Sequence, residues 1–155
     1  MTYLHSYSSN SAFQRLKAAL MSSPLSSKTA NAVVYSLLFN ADGLVPAIAQ
    51  QHDTGEILMM AWMNEDAVRE TLDTNQVCYW SRSRSQLWRK GETSGQTQKL
   101  VDFRWDCDAD TILLQVDQFG VACHTGRRNC FYNAVRDDEI AAIAAPEVNP
   151  DDIYS

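Results

Sequence analysis

Short apolar runs separated by polar turns occupy the chain between residues 44 and 135. Residues 44–49 and 56–62 form two such runs, and residues 52–55 between them have the composition of a hairpin turn. Further strands are predicted over residues 76–83, 97–105, 111–117, 121–124 and 131–135. The pattern predicts a β-rich α+β domain with mostly antiparallel strands and one or two short helices.

One helix of about ten residues is predicted after Asn64, because asparagine is a favoured N-cap. Glu65 and Asp66 in its first turn suit the positive end of the helix dipole, and Asn75 suits its end. The apolar face consists of Ala67, Val68, Thr71 and Leu72. A closing helix is predicted over residues 137–145, ended by Pro146, and the acidic tail beyond it is expected to fray.

The chain divides into an N-terminal extension (1–38), a central domain (39–135) and a C-terminal helix with an acidic tail (136–155). The first 41 residues contain no acid and are rich in serine. Phe13, Leu16 and Leu20 predict a short amphipathic helix there. We expect a cytoplasmic protein, although organelle transit peptides share this acid-poor, serine-rich composition.

The composition indicates a water-soluble domain of 155 residues, with 45% hydrophobic and 21% charged residues. No apolar run approaches the roughly 18 residues of a membrane span. The net charge of −6 argues against general nucleic-acid binding. A phosphorylated ligand is still compatible with that charge, because basic residues cluster locally. The cluster comprises Arg82, Arg84, Arg89, Lys90, Lys99 and Arg104, and Arg127 and Arg128 follow later.

Three carboxylates alternate with other residues in Asp106-Cys107-Asp108-Ala109-Asp110, directly before the apolar run at 111–116. If this segment is extended, the carboxylates share one face of a strand and Cys107 points to the other. Such carboxylates repel one another unless a hard cation such as Mg²⁺ lies among them. Solubility charges are the alternative; an EF-hand is excluded because Thr111 stands where that loop needs glycine.

The four cysteines occur without a secretory signal, which suggests thiols kept for metals or chemistry. Cys78 lies in an apolar run and is predicted to be a buried small hydrophobe. Cys107, Cys123 and Cys130 provide three ligands, the number found in a catalytic zinc site with an open position for water. The alternative is that they are separate buried residues.

Two further segments carry candidate chemistry. His124 beside Cys123 could serve as a proton shuttle or be structural. Gly126-Arg127-Arg128 offers two guanidiniums for an anion. Residues 80–95 mix cations, hydroxyls, glycines and tryptophans, and could hold a phosphate or form a solvated basic hairpin. The candidate ligand-binding residues there are Trp80, Ser81, Arg82, Ser83, Arg84, Arg89, Lys90, Gly91, Glu92, Thr93 and Ser94.

Seven phrases between residues 39 and 132 closely resemble the phosphoribosyl-AMP cyclohydrolases of histidine biosynthesis. They are GLVPAI (43–48), TGEILM (54–59), AWMN (61–64), WSRSR (80–84), LWRKGETSG (87–95), DCDAD (106–110) and CHTGRRNCF (123–131). The chain departs from many relatives at Gln96, where they carry histidine or asparagine. No pyrophosphohydrolase-like domain follows, so we expect the monofunctional form.

The resemblance implies that the adenine ring of phosphoribosyl-AMP is opened between N1 and C6, the third step of histidine biosynthesis. It implies Mg²⁺ at Asp106, Asp108 and Asp110, and Zn²⁺ at Cys107, Cys123 and Cys130. It further implies an intertwined homodimer in which Cys107 of one chain completes the zinc site of the other. A zinc-activated water would attack C6, with His124 as acid or base. The partners expected are therefore a small phosphorylated nucleotide and a second copy of the chain.

Three other classes of protein share parts of this pattern. Nucleobase deaminases also attack purine C6, but their H-x-E and P-C-x-x-C motifs are lacking here. A zinc-stabilised RNA-binding module would use the basic residues between 82 and 89 and would hold a closed, four-coordinate zinc. A redox thiol protein is disfavoured because the chain has no C-x-x-C.

Overall fold

A computed structural model describes residues 23–154 as an α+β fold built on one six-stranded sheet and a separate hairpin. The sheet strands are β1 (Val45–Gln51), β2 (Ile57–Met63), β3 (Cys78–Ser81), β4 (Gln86–Arg89), β5 (Gln98–Trp105) and β6 (Ile112–Gln118). The hairpin consists of β7 (Asn133–Arg136) and β8 (Glu139–Ala142). Two α-helices, α1 (Ser27–Ser36) and α2 (Glu65–Thr74), and a 3₁₀ turn at Pro150–Asp152 complete the described elements.

The order of strands across the sheet is β4-β3-β2-β1-β6-β5. The pairs β1–β2, β3–β4 and β5–β6 are antiparallel hairpins, whereas β1 and β6 at the centre run parallel, with Ala47 opposite Ile112. A parallel pair needs a long crossover, and the chain from β2 to β5 provides it. The two halves of the sheet therefore meet along β1 and β6.

Both helices contribute apolar side chains to the core of the sheet. Asn64 caps α2 by accepting a hydrogen bond from the Ala67 amide, and Asn75 ends the helix in the left-handed conformation at φ 56°. This cap, this end and the buried face of Ala67, Val68, Thr71 and Leu72 confirm the sequence prediction. Helix α1 was not predicted; it packs on α2 with Ala30 and Val34 buried.

Most strand predictions are confirmed to within one or two residues, and three other predictions are wrong. Residues 121–124 form bends and a turn rather than a strand. Residues 137–145 are not a helix, because Val135 and Ile140 pair across β7 and β8. Asp137 and Asp138 make the connecting turn with φ values of 48° and 65°. The tail is not frayed, since the amides of Glu147 and Val148 both donate to the Gly126 carbonyl.

The N-terminal helix predicted around Phe13 lies outside the described residues. Neither described α-helix has the length and apolar character of a membrane-spanning segment. The division of the chain at residues 38 and 135 stays a prediction.

Candidate active site

The three aspartates lie in a tight turn between β5 and β6, not along a strand. Ala109 adopts a left-handed conformation at φ 64°, which reverses the chain, and Asp106 Oδ1 accepts hydrogen bonds of 3.1 Å from the amides of Asp110 and Thr111. The prediction that strand alternation places the carboxylates on one face is therefore wrong, because this segment is a turn. The turn nevertheless brings carboxylate oxygens of Asp106, Asp108 and Asp110 within 4.8 Å of one another.

The chemistry of this turn suits a hard cation. Partial desolvation opposes ionisation of Asp106, but the amides of Thr111 and Asp110 and the neighbouring carboxyl groups together keep its pKa below the ordinary value. All three carboxylates are exposed, so a cation with several waters could reach them. The turn is therefore a candidate site for a hard cation.

Cys123 and Cys130 lie next to each other, and Cys123 follows the end of β6 that is opposite to the aspartate turn. Cys123 is 5% exposed, and its Sγ lies 3.1 Å from the Thr125 hydroxyl. The Cys130 amide donates to the Leu58 carbonyl on β2, which fixes its position against the sheet. Each thiol affects the ionisation of the other, so they lie close enough together to be candidate ligands of one soft metal ion.

The two thiols have opposite tendencies to ionise. Burial opposes ionisation of Cys123, but hydrogen bonds from Thr125 and Cys130 and the charge of Arg127 lower its pKa. Burial and the neighbouring Cys123 raise the pKa of Cys130 to about 12. A thiol pair of this kind holds one thiolate readily and the second only with a cation beside it.

Cys107 does not join this pair within one chain. It is exposed on the turn that precedes β6, whereas Cys123 follows the end of β6. The strand has seven residues, and at about 3.3 Å per residue it separates the two cysteines by roughly 20 Å. Among residues 23–154, the three cysteines do not gather as a metal-binding group. Cys78, as predicted, is buried in the core.

A cleft of about 570 Å³ opens beside the thiol pair. Its walls come from the middle of β2, from residues 90–96, called the basic loop after Lys90, from the cysteine loop (residues 119–130) and from the C-terminal segment. The predicted residues that line it are Arg84, Lys90, Gly91, Glu92, Thr93, Ser94, Cys123, His124 and Cys130. Cations, hydroxyls, an exposed histidine and two thiols thus face one concave space.

Lys90 is the buried cation of this cleft. It is 8% exposed, and its Nζ donates to the Gln96 carbonyl at 3.1 Å. Burial lowers the pKa of Lys90, while the thiols of Cys130 and Cys123 act in the opposite direction. A protonated Lys90 would therefore stabilise thiolates at the back of the cleft.

The structure separates four of the predicted basic and polar residues from the cleft. Arg89 turns away and pairs with Glu70 on α2, at 2.5 Å from its Nε. Arg127 stacks over Tyr132 at 4.0 Å and donates to the Ala144 carbonyl. Arg128 donates within the cysteine loop to the Gly120 carbonyl at 2.7 Å, and joins that loop to the Gln51 side chain on β1 at 3.0 Å and to Glu56 at 3.4 Å. Ser83 lies in the exposed turn between β3 and β4.

Trp80, Ser81 and Arg82 line a second concavity of about 480 Å³, which shares Trp88 and Cys130 with the main cleft. The Arg82 guanidinium lies over the Trp62 ring, 5.1 Å from its centroid. Exposed Phe131 and Met60 border the same space. This side of Cys130 is thus aromatic and open.

Sequence reasoning missed the residues that the C-terminal segment brings to the cleft. Ile153 is 5% exposed and lines the cleft with Tyr154. The segment returns because Gly126 lets the Val148 carbonyl approach so closely that a Cβ at 126 would lie 1.9 Å from its oxygen. The signal in the sequence was Gly126 itself, which we interpreted as part of an anion-binding turn.

Comparison with known proteins gives a consistent result. A family model for phosphoribosyl-AMP cyclohydrolase matches residues 59–132. A protein of that name from Paramagnetospirillum magneticum is 68% identical over 123 residues, covering 79% of this chain and 93% of the relative. The chain belongs to the phosphoribosyl-AMP cyclohydrolase family. Relatives of the same name include that of Alkalilimnicola ehrlichii, 64% identical over 79% of this chain and 87% of the relative, and that of Rhodospirillum rubrum, 67% identical over 75% and 82%.

Membership of the family confirms the resemblance found in the sequence and makes the chain an enzyme of this class. The matched residues 59–132 include the main cleft from Met59 to Cys130, the acidic turn and all three candidate zinc ligands. The C-terminal segment that lines the cleft lies beyond them.

Proposed function

We propose that this enzyme opens the adenine ring of 1-(5-phosphoribosyl)-AMP between N1 and C6 by hydrolysis, giving the phosphoribosyl-formimino aminoimidazole carboxamide ribotide. The observation that carries the proposal is the cleft in which Cys123, Cys130 and His124 face a hydroxyl-rich loop that also carries Lys90 and Glu92. One wall could hold phosphate and the other could carry out the hydrolysis. The proposed setting is the cytoplasm.

The donor set beside the cleft fits zinc. Cys123 and Cys130 are adjacent and sulfur is the ligand type that zinc prefers. When bound by three thiolates with an open position, zinc makes water available as a nucleophile near neutral pH. Lys90 supports the same site by offsetting the negative charge of the thiolates.

The third zinc ligand in this proposal is Cys107 of a second chain, in a homodimer. Cys107 lies too far from Cys123 in its own chain, yet it is exposed on a projecting turn. The aromatic, open side of Cys130 could receive such a turn, since Phe131 is 54% exposed there. A hairpin inserted between chains would bring the acidic turn, with its Mg²⁺, close to the partner's cleft.

Residues of the chain itself would carry the remaining steps. The hydroxyls of Thr93 and Ser94, the amides of the basic loop and the cation of Arg84 would bind phosphate. His124, exposed in the cleft next to Cys123, would move a proton between the attacking water and N1. Asp106, Asp108 and Asp110 would hold Mg²⁺, which would supply positive charge to orient the substrate and offset its negative charge.

The test follows ring opening of phosphoribosyl-AMP by absorbance, with zinc and magnesium content measured on the same sample. Removal of zinc with a chelator should abolish turnover, and added zinc should restore it. Full activity in a rigorously zinc-free preparation would refute the proposal.

A further inference from the structure

Gln96 connects the two loops that line the cleft. Its side-chain Oε1 accepts a hydrogen bond of 2.8 Å from the Val121 amide in the cysteine loop. Its Nε2 donates to the Ser94 carbonyl at 3.3 Å, and its backbone carbonyl accepts the hydrogen bond from Lys90. One residue therefore contacts the basic loop, the buried cation and the cysteine loop.

Two glycines show that Gln96 is closely packed. A Cβ at Gly120 would lie 1.7 Å from Gln96 Oε1, and a Cβ at Gly91 would lie 2.6 Å from the Gln96 backbone carbon. No side-chain carbon could occupy either place without moving Gln96 or its surroundings. Gly120 thus packs against the Gln96 side-chain amide, and Gly91 packs against the Gln96 backbone.

The Val121 amide belongs to the same short segment as the residues of the proposed chemistry. Val121 is 3% exposed and stands two residues before Cys123. The other end of this segment is fixed by hydrogen bonds from the Ala122 and Cys123 amides to the carbonyls of Arg128 and Arg127. The hydrogen bond from Gln96 thus fixes the entry to the segment that carries Cys123 and His124.

We propose that Gln96 is a positioning residue, which sets Cys123 and His124 in register with the basic loop across the cleft. The inference rests on the proposed function and adds to it a residue whose side chain acts through the Val121 amide. A buried amide left without its acceptor shifts a local equilibrium by about 5- to 150-fold. Loss of the Gln96 side chain should therefore populate arrangements in which Cys123 is displaced and accessible.

The first test compares Gln96→Met with Gln115→Met, which makes the same change at a half-buried glutamine paired with Gln50 outside the cleft. Maleimide labelling of Cys123 in metal-free protein, followed by peptide mass spectrometry, should be at least fivefold faster in Gln96→Met than in wild type. Labelling in Gln115→Met should match wild type. With zinc, Gln96→Met should lower kcat more than it raises KM. Equal rates of Cys123 labelling in the two variants would overturn the inference, and so would equal kcat values.

A double-mutant cycle with Gly120→Ala separates positioning from general destabilisation. In wild type, Gly120→Ala adds backbone strain at φ 66° and also displaces the Gln96 amide. In the Gln96→Ala background only the strain remains, so the substitution should accelerate Cys123 labelling far less. The same acceleration in both backgrounds would show that Gln96 does not act on Cys123.

These readouts distinguish failure of the inference from failure of the proposed function. Absence of zinc-dependent turnover in wild type would remove the proposed function, whereas labelling and the cycle would still decide whether Gln96 positions Cys123. If wild type turns over with zinc but Cys123 is labelled in Gln96→Met at the wild-type rate, only the inference fails.

Discussion

Mixing two inactive variants should restore activity if the zinc site is shared between chains. Cys107→Ser removes the ligand on the acidic turn, and Cys123→Ser removes one in the cleft. Each variant alone should lose zinc and turnover. Within one chain, Cys107 and Cys123 are separated by roughly 20 Å along β6, whereas thiols that share a zinc ion lie about 3.8 Å apart. Cys107 therefore cannot bind the same zinc ion as Cys123 of its own chain.

The expected recovery follows from the arrangement of sites in a heterodimer. The Cys107→Ser chain keeps an intact Cys123 and Cys130, and the Cys123→Ser chain supplies its intact Cys107. One of the two sites is then complete, while the other lacks two ligands. Equal, random mixing makes about half of the dimers heterodimers, so about a quarter of the wild-type activity and zinc should return.

The assay is ring opening after the two variants have been co-expressed with different tags or refolded together. A matched control combines Cys123→Ser with Cys130→Ser, where every dimer lacks a ligand in each site. That control should stay inactive. Recovery in the control equal to recovery in the test mixture, or none in either, would refute a zinc site completed by Cys107 of the partner chain.

Three further predictions concern single residues. His124→Ala should lower kcat by about 10²- to 10⁴-fold while zinc content stays at the wild-type value, and a smaller effect would argue against a proton-transfer role. Asp108→Asn should raise the Mg²⁺ concentration needed for half-maximal activity in a magnesium titration; an unchanged midpoint would count against the acidic turn. Leu114→Ala, in the core, should lower the free energy of unfolding by about 2–5 kcal/mol in urea, whereas exposed Leu38→Ala should change it by less than about 0.5 kcal/mol.

Local patterns were sufficient for the parts of the fold in which one face is buried. In α2, the cap at Asn64, the end at Asn75 and the apolar face follow from short-range chemistry, and all three are observed. The strands β1 and β6 likewise have buried side chains at alternate positions. What the patterns lacked was the parallel pairing of β1 with β6, because register between distant segments depends on tertiary packing.

The wrong predictions arose where local composition permits two structures. Acids at residues 137 and 138 suit a helix N-terminus, but aspartate also tolerates the left-handed conformation of a hairpin turn, and pairing of Val135 with Ile140 selects the hairpin. The alternating aspartates posed the same problem. Their spacing fits a strand, but a left-handed Ala109 turns them into a loop, and alanine gives no sign of that conformation.

Many residues of the candidate site could be predicted from the sequence, but the contacts that arrange them could not. The resemblance placed Cys123, His124 and Cys130 together, and the structure brings them to one cleft. It did not indicate that Arg89 and Arg127 have partners elsewhere. Such partners come from helices and tails whose positions no short motif encodes.

The central parallel pairing has a consequence for how the enzyme acquires its chemistry during folding. About 60 residues separate β1 from β6, and pairings this distant in sequence form slowly because the intervening chain must first be ordered. Strand β6 carries the acidic turn at one end and leads into the cysteine loop at the other. We therefore expect the acidic turn and the cysteine loop to reach their final positions together, late in folding, when β6 pairs with β1 and β5. Pulsed hydrogen exchange that protects β6 as early as the β1–β2 hairpin would contradict this order.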